Sequence, residues 1–434
     1  MARAMKDSGI KWIGEIPEGW VTPKLLYVLR EKICDGPHET PNYIEQGIPF
    51  ISIDSLNETK NISFKNVKRF ISEEDYNRFS QKTCIEQGDI LFSKAATIGK
   101  TAIVGKERFM VWSPLAVIKS NAEKIENDYL YYLLNCSHLV NAIALSGSLN
   151  TQINVGMREL EQARIPLPQI TEQKRISDHL DVECAEIDAV IEQTRASIEE
   201  YKKLKQSVIT QAVTKGIRPG KRMLNSGVDW IGQIPNEWAV FRIANLYDER
   251  NERGTDDLPI LTVSINTGIS DHEIPDEEKD RVVVRSEDRT LYKRVCPGDL
   301  AYNMMRAWQG AFGAARVDGM VSPAYVVAKP KTPGILDSRY VEALLRTPSA
   351  IEEMHRYSRG ITDFRLRLYW PEFKNICVCV PSVKEQIEIA DYIDAKAAEI
   401  DTLIQKKQQF LDEMESYKKS LIYEYVTGKK EVPA

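Results

Sequence analysis

Long apolar runs are missing from this sequence of 434 residues. No stretch approaches the roughly 18 unbroken apolar residues that span a bilayer, and the charged start Met-Ala-Arg-Ala-Met-Lys-Asp lacks the apolar core of a secretory signal. The seven cysteines are odd in number and scattered, unlike the dense pairs of a disulfide framework. Together these absences predict a soluble, cytoplasmic protein.

Motifs for catalysis and for metal binding are also missing. The segment Gly99-Lys100-Thr101 ends like a phosphate-binding loop, but Lys94 stands where such a loop needs a glycine. No Asn-Pro-Pro-aromatic tetrapeptide of an amino-methyltransferase is present. Cys34 and His38 have a possible ligand spacing, yet no second pair completes a zinc set. The sequence therefore predicts no cofactor, no metal and no catalytic residue, and a chain that is not itself an enzyme.

An excess of positive charge is absent as well. The chain has 58 Lys and Arg against 63 Asp and Glu, a net charge of -5. Non-specific DNA binding depends on neutralising many phosphates with Lys and Arg, so this balance excludes a histone-like coat. Any contact with DNA has to come from local patches.

The sequence does contain an internal repeat. MKDSGIKWIGEIPEGW from Met5 and MLNSGVDWIGQIPNEW from Met223 align over 16 positions without a gap. In the same order, GDILFS from Gly88 resembles GDLAYN from Gly298, SPLAVIK resembles SPAYVVAK, and Glu172-Gln173 matches Glu385-Gln386. The chain is predicted to be two copies of one unit.

The spacing of these matches shows where the copies differ. The offset is 218 residues at the start (223 minus 5), 210 at the Gly-Asp pair (298 minus 88) and 213 at the Glu-Gln pair (385 minus 172). Residues 29–87 and 247–297 match least. We interpret the shared framework as fold, and the divergent stretches as surface with a different role in each copy.

A long amphipathic helix is predicted at the end of each copy. Apolar residues recur at three and four positions after Pro168 and again after Pro381, with no Pro or Gly inside either run, and Gly216 and Gly428 are natural C-terminal stops. Each helix of about 44 residues would be roughly 65 Å long. An apolar stripe of this length needs a partner, and the other helix of the same chain is present at a high effective concentration. The predicted apolar stripes consist of Ile176, Leu180, Ile187, Val190, Ile191, Thr194, Ile198, Tyr201, Leu204, Val208 and Ala212, and of Ile389, Ile393, Ala397, Ile400, Leu403, Ile404, Phe410, Met414, Tyr417 and Leu421.

The predicted fold is α+β. Two globular domains are each followed by a long α-helix, and the two helices pair as an antiparallel coiled coil with pseudo-two-fold symmetry. The expected segments are domain 1 at 1–168, helix 1 at 169–216, domain 2 at 217–381, helix 2 at 382–428 and a tail at 429–434.

This combination resembles the specificity subunits of type I restriction-modification systems, over essentially the whole chain. Three features carry the resemblance: the two SG-x-x-WIG-x-IP-x-x-W openings, the GDI and GDL segments, and the Pro-x-x-x-Glu-Gln entries into the helices. The resemblance implies that each globular domain is a target-recognition domain for one half of a bipartite, asymmetric site in double-stranded DNA. The helices would fix the spacer and dock two methyltransferase subunits, with restriction and translocase subunits joining them. The chemistry would lie in those partners.

The residue types that read base edges indicate where the DNA contacts should lie. Arg, Lys, Asn and Gln can hydrogen-bond to base edges, and neighbouring polar groups hold phosphates. The candidates are Lys94, Lys100, Asn150, Thr151 and Gln152 in the first copy, and Arg306, Gln309, Arg359, Thr362, Asp363 and Arg365 in the second.

Two other functions remain open at this point. The chain could be the specificity module of a type IIB-like restriction-methylation enzyme, or, in a different class, a coiled-coil scaffold without DNA binding. A scaffold would neither co-purify with a methyltransferase nor protect any DNA sequence.

Overall fold

The computed structural model describes residues 3–56, 59–65, 67–146, 154–274, 289–361 and 365–433. The chain forms two compact units. Unit 1 comprises Met1–Arg195 and Gln409–Ala434, and unit 2 comprises Ala196–Gln408. Each unit therefore contains one globular domain together with part of each of the two long helices.

Unit 1 is built on a four-stranded antiparallel sheet. Its strand order is β3-β9-β6-β7, and a separate three-stranded sheet has the order β5-β4-β8. Strands β4 and β8 are parallel, and all other pairs in these two sheets are antiparallel. The elements of this unit are β1 (Met5–Asp7), β2 (Glu15–Pro17), β3 (Cys34–Asp35), β4 (Ile48–Ile51), β5 (Phe70–Ile71), α1 (Glu73–Ser80), β6 (Ile90–Ser93), β7 (Thr101–Ile103), β8 (Met110–Val111), β9 (Leu115–Ile118), α2 (Asn127–Asn135), α3 (Ser137–Ser146), α4 (Met157–Gln162) and the first part of α5 (Ile170–Lys215).

Unit 2 contains the equivalent four-stranded sheet. Its order is β13-β20-β17-β18, so each strand has a counterpart at the same place in the sheet of unit 1. The elements are β10 (Met223–Asn225), β11 (Gln233–Pro235), β12 (Ala239–Arg242), α6 (Ile243–Leu246), β13 (Tyr247–Glu249), β14 (Val263–Ser264), β15 (Gly268–Ile269), β16 (Lys293–Val295), β17 (Leu300–Asn303), β18 (Phe312–Ala314), β19 (Gly319–Val321), β20 (Tyr325–Pro330), α7 (Ser338–Leu345), α8 (Pro348–Tyr357), α9 (Trp370–Phe373), β21 (Cys377–Val380) and the first part of α10 (Val383–Val426).

The two matching openings fold into the same hairpin. In β1 and β2 Met5 faces Pro17, and in β10 and β11 Met223 faces Pro235 in the same register. The last tryptophan of each opening is buried, at 1% exposure for Trp20 and 6% for Trp238. The predicted α+β fold, with two globular domains that are each followed by a long helix, is confirmed.

The repeated Glu-Gln pair fixes the first turn of each long helix to its globular domain. Gln173 is buried; its Oε1 accepts the Glu126 N–H at 2.7 Å, and its Nε2 donates to the Pro168 carbonyl at 2.9 Å. Gln386 makes the same two bonds, with the Asp337 N–H at 2.8 Å and the Pro381 carbonyl at 3.0 Å. The pair therefore satisfies loop groups that would otherwise be buried without partners.

A buried tyrosine fixes the end of the other helix to the same domain. The Tyr129 hydroxyl lies 3.1 Å from the Pro166 carbonyl and 3.0 Å from the carbonyl of Val426, the last residue of α10. In unit 2, the Tyr340 hydroxyl lies 3.0 Å from the Cys379 carbonyl and 3.1 Å from the Val213 carbonyl near the end of α5. Each domain thus binds the start of one long helix and the end of the other.

Within each unit the two helices run antiparallel and are joined by ion pairs. In unit 1, Lys418 Nζ lies 2.6 Å from Asp188 Oδ1, and in unit 2, Lys205 Nζ lies 2.6 Å from Asp401 Oδ2. These side chains are partly exposed, so each pair adds little stability. They sit at equivalent positions in the two copies, which indicates that they set the register of the helices.

The apolar stripes are only partly buried. Ile176, Leu180 and Ile187 are almost inaccessible, as are Ile389 and Ile400. Other stripe residues are exposed, because a single partner helix covers only one side of each stripe; these are Val190, Leu204, Leu403, Phe410 and Tyr417, at 37–49% exposure. Part of each predicted stripe is therefore accessible beside the partner helix.

Replacement of Gly428 by alanine should destabilise unit 1 more than the control Gly9→Ala. Both glycines have positive φ, +71° and +67°, where a Cβ atom costs about 1–2 kcal/mol. A Cβ at Gly428 would also lie 2.6 Å from Pro17 Cδ, and overpacking adds about 1–3 kcal/mol, whereas a Cβ at Gly9 meets nothing within 4 Å. The midpoint of urea unfolding should fall further for Gly428→Ala, and equal midpoints would contradict this packing.

Candidate nucleic-acid interface

The loops between β6 and β7 and between β17 and β18, here called hairpin loops 1 and 2, are equivalent and sharply folded. In hairpin loop 1, Ser93 Oγ donates to the Thr97 carbonyl at 2.5 Å and accepts the Lys100 N–H at 2.8 Å. In hairpin loop 2, Asn303 Oδ1 accepts the Met305 N–H at 3.0 Å. Each loop therefore begins with a polar side chain that holds its backbone.

The Gly-Asp pair fixes the strand that leads into each hairpin loop. Asp89 Oδ2 and Asp299 Oδ2 each accept, at 2.8 Å, the N–H of the residue three positions earlier. Burial raises the pKa of Asp299, while the bond to the Cys296 N–H and the Arg250 guanidinium 2.7 Å away oppose that shift. The motif GD is therefore a buried turn cap, and its role is structural.

The backbone that follows the second candidate segment of each copy contacts the hairpin loop. In unit 1, the Val155 N–H donates to the Lys94 carbonyl at 2.8 Å, and in unit 2, the Leu368 N–H donates to the Met304 carbonyl at 2.9 Å. In unit 2, the described candidates Arg359 and Arg365 therefore precede a segment that adjoins hairpin loop 2. The predicted residues Asn150, Thr151, Gln152, Thr362 and Asp363 lie outside the described residues.

In unit 2 most of the candidate residues that the structure describes are accessible to solvent. Arg306 is half-buried, and Gln309, Arg359 and Arg365 are exposed. The Arg359 guanidinium lies 2.7 Å from Glu372 Oε1, a carboxylate that is 13% exposed. A partner of this kind holds the guanidinium in one orientation, which recognition of a base edge requires.

Sequence reasoning missed two neighbours of these residues. Arg367, also exposed, pairs with Arg359 through two backbone hydrogen bonds of 2.9 Å. Trp308 Nε1 donates to the Met305 carbonyl at 3.0 Å within hairpin loop 2. Both belong to the predicted segments, so inspecting every cation and aromatic residue of those loops would have found them.

In unit 1 the candidate Lys94 is withdrawn from the surface. It is 8% exposed, and its Nζ lies 3.0 Å from Asp35 Oδ2. A buried ammonium with a carboxylate partner is not available to a phosphate. Lys94 therefore stabilises the loop through its ion pair with Asp35. Lys100 is half-buried at the other end of the loop.

Among the residues that the structure describes, no group of three or more His, Cys, Asp or Glu side chains could hold a metal ion. Within the same residues, no helix is both long enough and apolar enough to cross a membrane. The thiols of all seven cysteines are free.

Comparison with known proteins gives one consistent family. Residues 37–200 match the family described as type I restriction modification DNA specificity domain. The chain is 28% identical over 437 residues to the MjaX specificity subunit assigned to a type I restriction enzyme of Methanocaldococcus jannaschii, covering 96% of this chain and 95% of that protein. It is 22% identical over 436 residues to the EcoKI specificity subunit of Escherichia coli, covering 96% of this chain and 90% of the relative.

A solved structure has the same fold. One chain in a structure that addresses complex assembly and conformational transition of the type I R-M system superposes with a TM-score of 0.65 at 16% identity, covering 96% of this chain and 99% of that chain. Residues 37–200 thus match a DNA specificity domain, and nearly the whole chain is similar to type I restriction enzyme specificity subunits.

The two lysines of hairpin loop 1 should respond differently to mutation. Lys94→Met leaves the Asp35 carboxylate buried without its lysine, which costs about 3 kcal/mol, so the midpoint of urea unfolding should fall. Lys100→Met removes the same charge from a half-buried position and should change stability by less than about 0.5 kcal/mol. If both variants unfold at the wild-type midpoint, the ion pair does not support the loop.

Proposed function

We propose that the chain is the non-catalytic DNA-recognition subunit of a type I restriction-modification complex, in which each globular domain reads one half of a bipartite, asymmetric site. One observation carries this proposal: the same four-stranded sheet in both units presents equivalent hairpin loops with different side chains. Hairpin loop 2 offers Arg306 and Gln309, whereas Ala95 and Ala96 stand near the start of hairpin loop 1. A shared scaffold with different readers is what two unlike half-sites require.

The charge of the chain supports a division of labour with partner subunits. At a net charge of -5 the chain has little general attraction for DNA, so we expect weak binding until partners add basic surface. Two methyltransferase subunits and the restriction and translocase subunits would supply both that surface and the chemistry.

The long helices offer a docking surface for those partners. In unit 1, Val182, Phe410 and Tyr417 are 58%, 42% and 49% exposed. Aromatic side chains are enriched in protein interfaces relative to the rest of the surface. We therefore place the methyltransferase contacts on these helices.

An exchange of residues 29–164 with those of a relative of different specificity should change one half of the recognised site only. The framework that holds the segment is retained, and the DNA contacts of unit 2 are untouched. Methylome sequencing of a strain that carries the complex gives both half-sites before and after the exchange.

An unchanged methylation site would contradict the recognition role. Co-purification serves as the second readout, because a scaffold without DNA binding would bring down no methyltransferase. Genes for separate methyltransferase and motor subunits beside this one would exclude a type IIB-like enzyme.

Matched shortening of the two helices should shorten the spacer and leave both half-sites unchanged. Residues 200–206 of α5 and 402–408 of α10 both lie in unit 2, and their removal takes about 10 Å from each helix while keeping the apolar face nearly in register. The control deletes residues 200–206 from α5 alone, which shifts the rest of α5 by about two turns against α10 and should abolish methylation. An unchanged spacer in the matched variant would refute the proposed role of the helices.

A further inference from the structure

Hairpin loop 1 has few side chains that could hydrogen-bond to a DNA base. Between Lys94 and Gly99 it carries only Ala95, Ala96, Thr97 and Ile98. Lys94 itself is engaged with Asp35 beneath the surface. Reading a base edge needs a side chain that reaches into the groove with donors or acceptors in a fixed geometry. Unit 1 therefore needs another group to do what Arg306 and Gln309 can do in unit 2.

An exposed arginine with aromatic neighbours lies in the divergent segment of unit 1. Arg69 directly precedes β5, and its guanidinium carbon is 5.6 Å from the ring centroid of Tyr43 and 5.8 Å from that of Trp112. The Tyr43 ring in turn lies 6.0 Å from the ring of the buried Phe50. Stacking of this kind fixes the guanidinium plane and reduces the entropy that Arg69 would lose on binding.

Arg69 differs from its neighbours because no carboxylate in the described part of the chain forms an ion pair with it. In the same region, Arg30 pairs with Glu86, and Arg108 lies 2.8 Å from Glu73. Arg78 also has acidic partners, Glu39 and Asp75. A solvent-exposed cation that is oriented by rings and not neutralised by an acid is suited to a ligand with negative charge or with acceptor atoms.

The surface around Arg69 continues into hairpin loop 1. Ser113 follows Trp112, and its Oγ lies 3.2 Å from Nδ1 of His38, whose side chain is 72% exposed. The next carbonyl, that of Pro114, accepts the Lys94 N–H at 2.9 Å. We call His38, Tyr43, Arg69, Trp112 and Ser113 the Arg69 patch.

We propose that the Arg69 patch is part of the DNA-contacting surface of unit 1, with the Arg69 guanidinium as its central contact. The proposal rests on the proposed function and names residues that read or position the half-site of unit 1. Cations interleaved with aromatic rings suit both the phosphates and the base edges of DNA. The location of His38, Tyr43 and Arg69 within residues 29–87 fits as well, because this stretch matches the other copy least.

The test compares Arg69→Ala with Arg108→Ala in the full-length chain, together with the subunits that co-purify with it. Arg108 is a matched control, because its guanidinium also lies over a ring, that of Tyr76 at 4.2 Å, but is neutralised by Glu73. The affinity for a DNA duplex that carries the sequence identified by methylome sequencing should fall about 10-fold or more for Arg69→Ala. This is the range expected for one good arginine contact to a base. Arg108→Ala should stay within about twofold of wild type.

Two further measurements keep the outcomes apart. Arg69→Gln removes the charge but keeps a long side chain, and it should lose affinity in the same way if Arg69→Ala unfolds. Substituting bases in the half-site that unit 2 is proposed to recognise should lower the DNA affinity of the wild type and of Arg69→Ala by the same factor. Wild-type affinity in both Arg69 variants would overturn the proposed role of the Arg69 patch and leave the proposed function standing. A wild-type complex that binds DNA without sequence preference would overturn the proposed function itself.

Discussion

The contact on which the structure depends most is the one that fixes each globular domain to two helix ends. Gln173 and Gln386 bind the loops beside the helix starts, and Tyr129 and Tyr340 bind carbonyls at the helix ends. All four side chains are buried, and a buried polar group that loses its partner costs about 1–3 kcal/mol. A domain therefore cannot slide along its helices by even one turn without leaving several such groups unpaired. This constraint explains why the Glu-Gln pair occurs in both copies.

A second contact between helix and globular domain is an ion pair, and different residues make it in the two copies. Asp181 and Asp394 occupy equivalent helix positions, and each pairs with a cation from the adjacent domain. In unit 1 the cation is Lys60, from the divergent segment; burial lowers its pKa, but Asp128 and Asp181 more than offset this, and the net shift is upward. In unit 2 it is Arg339 of α7, whose pKa is likewise raised by carboxylates against the effect of burial. The acid on the helix is retained, while the source of its partner has changed.

The sequence predicted the features that depend on local pattern. The repeated hairpin and the ends of the helices beside Gly216 and Gly428 follow from turn and capping chemistry, which acts within a few residues. The environment of Lys94 was not predictable, because its partner Asp35 lies 59 positions away and only the fold brings the two together. The same holds for Arg69, whose aromatic neighbours Tyr43 and Trp112 come from two other segments. Of the candidate site, the sequence indicated the loops but not which of their side chains are accessible.

Acidic residues have opposite roles in the two proposed reading surfaces. Glu372 orients Arg359 at the surface of unit 2, whereas Asp35 removes Lys94 from the surface of unit 1, where Arg69 is oriented by rings instead. Acids near DNA reduce the general attraction to phosphates, which depends on total charge. They do not reduce discrimination between bases, which depends on the orientation of a few donors. Because a recognition subunit must distinguish its site from a large excess of other sequence, the ratio of specific to non-specific affinity matters more than either value. If the proposed function holds, a net charge of -5 with a few well-oriented arginines would raise that ratio.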